Sequence, residues 1–499
     1  MRKNIMIQGT SSSVGKSILA AAICRILTED GYSVAPFKSQ NMSLNSHVTG
    51  DGHEMGRAQV LQAEASRIPP HVNMNPILLK PVADEMSQVI VMGKVLSDMK
   101  ASNYFLYKPR LREIIMTAYN TLADASDVVV IEGAGSPAEI NLNADDIVNM
   151  GLAEMVDAPV ILVADIDRGG VFASIYGTVM LLQEHERKRI RGIIINKFRG
   201  DKSLLLSGLT QIEELVGIKV LGVIPYFHLD LDDEDSVVDW RKFSRNPEGA
   251  LDIAVMRLPH LSNFTDFNPL WIHKDVNLRF VDLDDELGQP DLIIIPGTKS
   301  TVSDLLQMKR LGMDRKILQC HAEGTAVMGI CGGYQILGQT IRDPHQVESD
   351  LTEVNGLGII DMETTFGREK NTALIEGVEH LSGTGIKGYE IHMGDSVHRK
   401  EQRPLVTISR SNSKVVSLKQ EGILLKDAGV MGTYVHGIFD NAGFTREVIN
   451  YLLERKGMDA TDEQGMDFWQ HKDEQLTALA RLVRENLDME AFYAVLHES

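Results

Sequence analysis

Four short runs within residues 1–225 are apolar almost to their last residues: "NIMIQG" (4–9), "VVVIEGAG" (128–135), "PVILVADID" (159–167) and "GIIINKF" (192–198). A strand with one face in water alternates apolar and polar residues. Runs such as these read instead as strands covered on both faces, which is how a parallel sheet is built. Between them lie stretches such as "KSILAAAICRILTEDG" (16–31), apolar on one face and closed by glycine, as helices often are. The pattern implies a doubly wound α/β domain over residues 1–228, with its functional residues at the C-terminal ends of the strands.

A chain of 499 residues is too long for one hydrophobic core. Over 229–250, "LDLDDEDSVVDWRKFSRNPEGA", apolar periodicity disappears and acidic residues cluster, so this segment reads as a linker. A second α/β series then runs through "LDIAVMRLP" (251–259), "PDLIIIPGTKST" (290–301), "AVMGICGGYQILG" (326–338) and "GVMGTYVHGIFD" (429–440). The stretch 443–495 reads as amphipathic helix closing a second domain over 251–499. The basic-then-apolar start "MRKNIMIQGT" is too short in its apolar part for a signal peptide and reads as the first strand.

The first strand runs directly into "GTSSSVGKS" (9–17). The common phosphate-loop pattern has four residues between its glycines, whereas Gly9 and Gly15 are separated by five. The context is nevertheless strand, glycine-rich loop and helix, in which backbone N–H groups and the helix dipole face a phosphate. Lys16 then reaches the outer phosphates of ATP, and the Ser17 hydroxyl is a ligand for Mg²⁺. Glu132, at the end of a buried strand, is placed to reach the same metal or its water. Asp165, Asp167 and Arg168 in "VADIDRGGVF" end another strand and serve metal, substrate or structure. The Asn196 amide in "INKF" reads a purine edge or forms a turn. "FKSQNMSLNS" and "DGHEMGRAQ" are polar and glycine-punctuated, with Lys38, Gln40, Asn41 and Arg57 either binding substrate carboxylates and amides or packing loops.

The second domain carries a nucleophile pattern. In "GICGGYQILG", Cys331 lies between a buried strand and a helix opening at Gly332. A thiol there is exposed at a tight turn, its thiolate is stabilised by the helix N-terminus, and nearby glycine N–H groups face a developing oxyanion. His436 in "YVHG", again at a strand end, is the candidate base for acyl transfer.

These motifs resemble known families. "GICGGYQILG" with "YVHG" resembles a class I glutamine amidotransferase domain. The spacing of "GTSSSVGKS", with "VIEGAG" and "INKF", is similar to the dethiobiotin synthetase-like branch of P-loop proteins. Further stretches, including "FKSQNMSLNS", "GRAQVLQAEA", "NMNPILLKP", "IEGAGSPAEINL", "ADIDRGGVFA", "GYEIHMG" and "GTYVHGIFDN", resemble the cobalamin-pathway glutamine amidotransferases. The resemblance implies a ligase that amidates corrinoid carboxylates with ATP, Mg²⁺ and glutamine. It makes Cys331 the nucleophile and His436 its base, with oxyanion donors near Gly297 and Gly332, and it implies a shielded route for ammonia. Two departures stand out. Ser39 replaces a proline usual in the family, and Ile438 occupies the position, two after the histidine, where common triad enzymes carry glutamate. No third triad member can be assigned. A sister branch amidating other carboxylates, a ligase on another scaffold, and a partition-type ATPase with an inactive second domain are the alternatives.

Composition adds exclusions. A formal charge of −19 argues against nucleic-acid binding. No apolar stretch is long enough to cross a bilayer. Cys24, Cys320 and Cys331 lack metal or disulfide spacing, which fits a reducing cytoplasm.

Overall fold

The computed structural model describes residues 3–83, 86–142, 145–231, 240, 246–460 and 467–498. Much of the expected linker, 232–239 and 241–245, lies outside the described residues. The chain divides into two compact units: residues 1–43, 55–238 and 472–499 form one, and residues 44–54 and 239–471 the other.

The first unit is built on six strands in the order Val220–Pro225, Ile190–Phe198, Val160–Asp165, Lys3–Gly9, Val128–Glu132 and Val34–Phe37. All neighbours are parallel. The buried runs thus became a doubly wound sheet because no face of it meets water. Met6 points into a core with Phe37, Ile115 and Tyr119. Ile5 and Ile7 point to the other face, among Leu19, Ile23, Leu27, Leu479 and Phe492. The register pairs Ile7 with Glu132 and Gly9 with Val163. The glycine loop therefore starts level with the end of the Glu132 strand, where open α/β sheets bind ligands. A four-stranded sheet, Gln40–Met42, Ile77–Ala83, Met86–Val91 and Lys94–Lys100, is added beside this core.

The C-terminal helices depart from the sequence expectation. Ala442–Arg455 lies in the second unit, but from Lys472 onward the chain belongs to the first. The reason is the helix Lys16–Glu29, which is buried far around its circumference and not on one face alone. Its Arg25 is fully buried, donating to Asp473 Oδ1 at 2.5 Å and to the Glu64 carbonyl at 3.3 Å. Leu476, Leu479, Val483, Phe492 and Leu496 supply the missing apolar cover.

In the second unit a six-stranded sheet runs Val276–Asp282, Leu251–Arg257, Leu292–Ile295, Ala326–Ile330, Val430–Thr433 and Ile423–Leu425. All its pairs are parallel except the last. A separate, largely antiparallel sheet is dominated by the hairpin of Met362–Glu379 with Gly385–His398. Residues 44–54 also belong here. The buried Glu54 pairs with Lys370 at 2.6 Å and accepts from Ser46 Oγ at 2.8 Å. Residues 44–54 and 472–499 thus each lie in a different unit from the chain that adjoins them.

Leu479→Ala, which empties a fully buried position, is expected to destabilise the first unit by about 2–5 kcal/mol. Ending the chain at His471 is expected to prevent that unit from folding. Denaturant unfolding followed by circular dichroism checks both.

Candidate active sites

In the first unit the loop after Gly9 is shaped by contacts that only small residues permit. Gly15 has φ +94°, and a Cβ there would lie 2.4 Å from Asn196 Nδ2. Asn196 is buried and donates to the Val14 carbonyl at 2.8 Å, so it braces the loop; its Oδ1 is buried without a partner among the described residues. Lys16 Nζ folds back over the loop, donating to the carbonyls of Ser11 (3.0 Å) and Gly135 (3.2 Å).

Glu132 is the centre of this site. Its side chain is buried, and Oε1 accepts from Ser17 Oγ at 2.7 Å and Lys38 Nζ at 2.6 Å. Oε2 accepts from Gln62 at 2.5 Å and Gln59 at 3.3 Å. Burial alone would raise its pKa, but the Lys38 charge and these donors outweigh that and hold the carboxyl below its ordinary range. Ser17 Oγ and the Glu132 carboxylate, both hard oxygen donors, are hydrogen-bonded neighbours beside the glycine loop. That fits Mg²⁺, which takes one or two protein ligands and fills its remaining positions with phosphate and water. Sequence reasoning overlooked Gln59 and Gln62, although their spacing of three within the helix Arg57–Ala65 puts both on one face.

A cavity of about 460 Å³ opens beside the loop, with Lys16, Ser17, Lys38, Gln40, Asn41 and Lys108 in its wall. Gln40 accepts from the Tyr104 hydroxyl at 2.5 Å. Asn41 Nδ2 is buried without a partner among the described residues. Arg57 is buried at the start of its helix and is not in that wall. Asp165 pairs with Lys197 at 2.9 Å and Asp167 with Arg199 at 2.7 Å, and neither lines the cavity. Ser39, in place of proline, donates its hydroxyl to the Ile147 carbonyl at 2.6 Å.

In the second unit Cys331 sits between the strand Ala326–Ile330 and the helix Gly332–Leu337 with φ 52° and ψ −112°, a strained conformation of the kind found at nucleophile turns. The turn is tight enough that a Cβ on Gly333 would fall 1.9 Å from the Ile295 carbonyl oxygen. The Cys331 N–H donates to the Thr433 carbonyl at 2.8 Å, and its Sγ donates to the Ile391 carbonyl at 3.3 Å. His436 is buried, and Cys331 is near enough to act on its charge. A Cβ on Gly297 would meet His436 Cε1 at 2.9 Å, and one on Gly332 would come 3.2 Å from the Thr298 nitrogen. These two glycines therefore border the thiol and the imidazole.

The third member is Asp266. Its Oδ2 lies 2.6 Å from His436 Nδ1, and its Oδ1 accepts the Gly437 N–H at 3.0 Å. Burial would favour a neutral imidazole, but Asp266 and Cys331 outweigh it and raise the His436 pKa to about 10. Asp266 stands in the short 3₁₀ helix Phe264–Phe267, 170 residues before its partner. No motif or periodicity in "NFTDFNP" announces it. Two buried asparagines clamp that helix to the 44–54 segment: Ser46 N–H donates to Asn263 Oδ1 at 2.9 Å, and Phe264 N–H to Asn45 Oδ1 at 3.3 Å. On its other side His436 stacks on Tyr389, with ring centroids 5.4 Å apart.

A phosphate loop in one unit and a Cys–His–Asp array in the other define a glutamine-dependent amidotransferase with a nucleotide-binding domain. Residues 5–234 match the CobQ/CobB/MinD/ParA nucleotide binding domain, and residues 252–444 match the CobB/CobQ-like glutamine amidotransferase domain. The chain is 51% identical to a cobyric acid synthase of Clostridium novyi, over 99% of this chain and 98% of that one. It is 53% identical to that of Limosilactobacillus reuteri, over 100% and 99% of the two chains. It belongs to the cobyric acid synthase family, carbon–nitrogen ligases with glutamine as nitrogen donor.

Asp266→Asn is expected to lower glutamine-dependent kcat by about 10²–10⁴-fold and to bring the His436 titration down from about 10. The sign is that of a raised histidine: its stabilising contribution is complete below pH ~6.5 and is lost as pH rises through ~10. NMR titration of the imidazole and a glutaminase assay are the readouts.

Proposed function

We propose that this protein converts adenosylcobyrinic acid a,c-diamide to its tetra-amidated product by amidating the b, d, e and g carboxylates with ATP and glutamine. The observation that carries this reading is that one chain keeps both arrays intact, Ser17–Glu132–Lys38 behind a phosphate loop and Cys331–His436–Asp266 at a strained turn.

Lys16 and the loop N–H groups hold the ATP phosphates. Ser17 and Glu132 would hold Mg²⁺, which would supply charge neutralisation at the phosphates. A corrin carboxylate oxygen bonds to the γ-phosphorus as the bond to the ADP oxygen breaks, giving an acyl phosphate; positioning and charge do most of the work. At the second site the Cys331 sulfur attacks the glutamine side-chain carbonyl, with N–H groups near Gly297 and Gly332 receiving the oxyanion. His436 passes its proton to the departing nitrogen, ammonia leaves, and water then cleaves the thioester to glutamate. Asp266 keeps the imidazole oriented and charged. Ammonia attacks the acyl phosphate, and phosphate departs as the amide forms. No helix among the described residues is long and apolar enough to cross a membrane, and Cys24, Cys320 and Cys331 are free, which supports a cytoplasmic setting.

Mass spectrometry of the corrinoid after incubation with protein, MgATP and glutamine is expected to show four successive carboxylate-to-amide shifts. Cys331→Ala is expected to abolish the glutamine-dependent reaction and spare the one driven by ammonium salt. An unchanged corrinoid with folded wild-type protein would overturn the reading.

A further inference from the structure

The cavity beside the phosphate loop contains one group that the chemistry above does not use. Lys108, on the helix Ala101–Ala125, is only 7% exposed, yet it makes no hydrogen bond or ion pair with the described residues. Its ammonium lies over the Phe105 ring, 4.5 Å from the centroid. Burial lowers its pKa, and the nearby Asp146 and Asp145 offset that only in part. The Asp146 carboxylate is itself occupied by the N–H groups of Val148 (2.8 Å), Asn149 (3.0 Å) and Gly151 (2.9 Å). Lys38, in the same wall, is already committed to Glu132. A cation largely withdrawn from water, with no hydrogen-bond acceptor among the described residues, is unfavourable, and the open cavity that Lys108 lines is where an anion would relieve it.

The mouth of the cavity is of the opposite character. Met42 (56% exposed), Phe105 (39%) and Leu142 (41%) line it and face solvent. Exposed apolar side chains rimming a pocket with a few polar groups inside are the usual composition of a small-ligand site. At about 460 Å³ the cavity is too small for a macrocycle with all its side chains, but it has room for one edge of such a ring. The phosphate-loop side chains Lys16 and Ser17 are in the same wall.

We propose that this cavity is the acceptor site and that Lys108 is its carboxylate anchor: the ammonium binds one free carboxylate of the corrinoid while a neighbouring one is presented to the phosphate loop, and Met42, Phe105 and Leu142 carry the apolar face of the ring. The proposal rests on the corrinoid reading given above. Lysine suits the task better than arginine would. Four carboxylates must take their turn at one ATP site, so the ring binds in several orientations, and a point charge on a flexible stem accepts each without the fixed approach of a guanidinium fork. Each amidation removes a carboxylate the anchor can hold, so affinity falls along the series and the finished product leaves most readily.

The test is calorimetric titration of the full-length protein with adenosylcobyrinic acid a,c-diamide, with the tetra-amidated product and with MgATP. Wild type is expected to bind the a,c-diamide about tenfold or more tightly than the product. Lys108→Met is expected to erase most of that preference by weakening the a,c-diamide alone, and Lys108→Arg to retain part of it. MgATP affinity is expected to stay within about twofold in both, which also reports an intact fold. Met42→Glu, at an exposed position, should likewise weaken the a,c-diamide and serves if the buried substitutions do not fold. A Lys108→Met protein that keeps the wild-type preference, or that loses MgATP instead, would overturn the anchor. Wild-type protein that neither binds nor amidates the corrinoid would overturn the functional reading itself.

Discussion

A carboxylate with almost no contact with water, Glu132, organises the first unit. Left alone there it would be protonated or would unfold its surroundings, so four donors from three places in the chain are drawn to it: Ser17, Lys38, Gln59 and Gln62. Those contacts set where the helix after the phosphate loop begins, where the Phe37–Met42 strands run and how the helix Arg57–Ala65 is turned. The cavity wall follows from the same requirement, because Lys38, Gln40, Asn41 and Met42 descend directly from the residue that pairs with Glu132. A buried ion pair is weak evidence of net stability. Its value here is that it leaves the segment one geometry.

The second unit solves a related problem with strain. Cys331 is held in a conformation that ordinary residues avoid, at a typical cost of about 1–3 kcal/mol, and the surroundings must over-determine it. The bare backbone of Gly333 against Ile295, the Thr433 carbonyl on the Cys331 N–H, and the His436–Asp266 pair do so from separate elements. The imidazole is in turn fixed on two sides, by the carboxylate and by the Tyr389 ring. The thiol and the imidazole are therefore positioned by the fold itself.

What the sequence disclosed follows from how local each signal is. The parallel strands were legible because burial on both faces leaves an unbroken apolar run, and the phosphate loop, Glu132, Cys331 and His436 because each sits at a strand end within a short recognisable pattern. Asp266 was not, because its partner is distant in the chain and a 3₁₀ turn has no period to read. Lys108 lies on an amphipathic helix where a lysine reads as solvated, and only the folded chain reveals that it is buried. The antiparallel hairpin of Met362–Glu379 and Gly385–His398 alternates too irregularly to announce itself, with a register shift between Thr365 and Lys370. The C-terminal helices were recognised as helices, but amphipathicity does not say which sheet a helix will cover.

That last point bears on how the molecule comes into being. Domains made on the ribosome usually fold in the order they emerge. Here one core cluster of the first unit stays incomplete until the segment from Lys472 onward is released, because Leu476, Leu479, Phe492 and Leu496 pack in it with Ile5, Leu19 and Ile23. The second unit has all its strands, and the 44–54 segment it borrows, before that moment. Ile5, Leu19 and Ile23 are thus made well before the residues that close over them, and the nascent chain carries that apolar patch exposed in the interval.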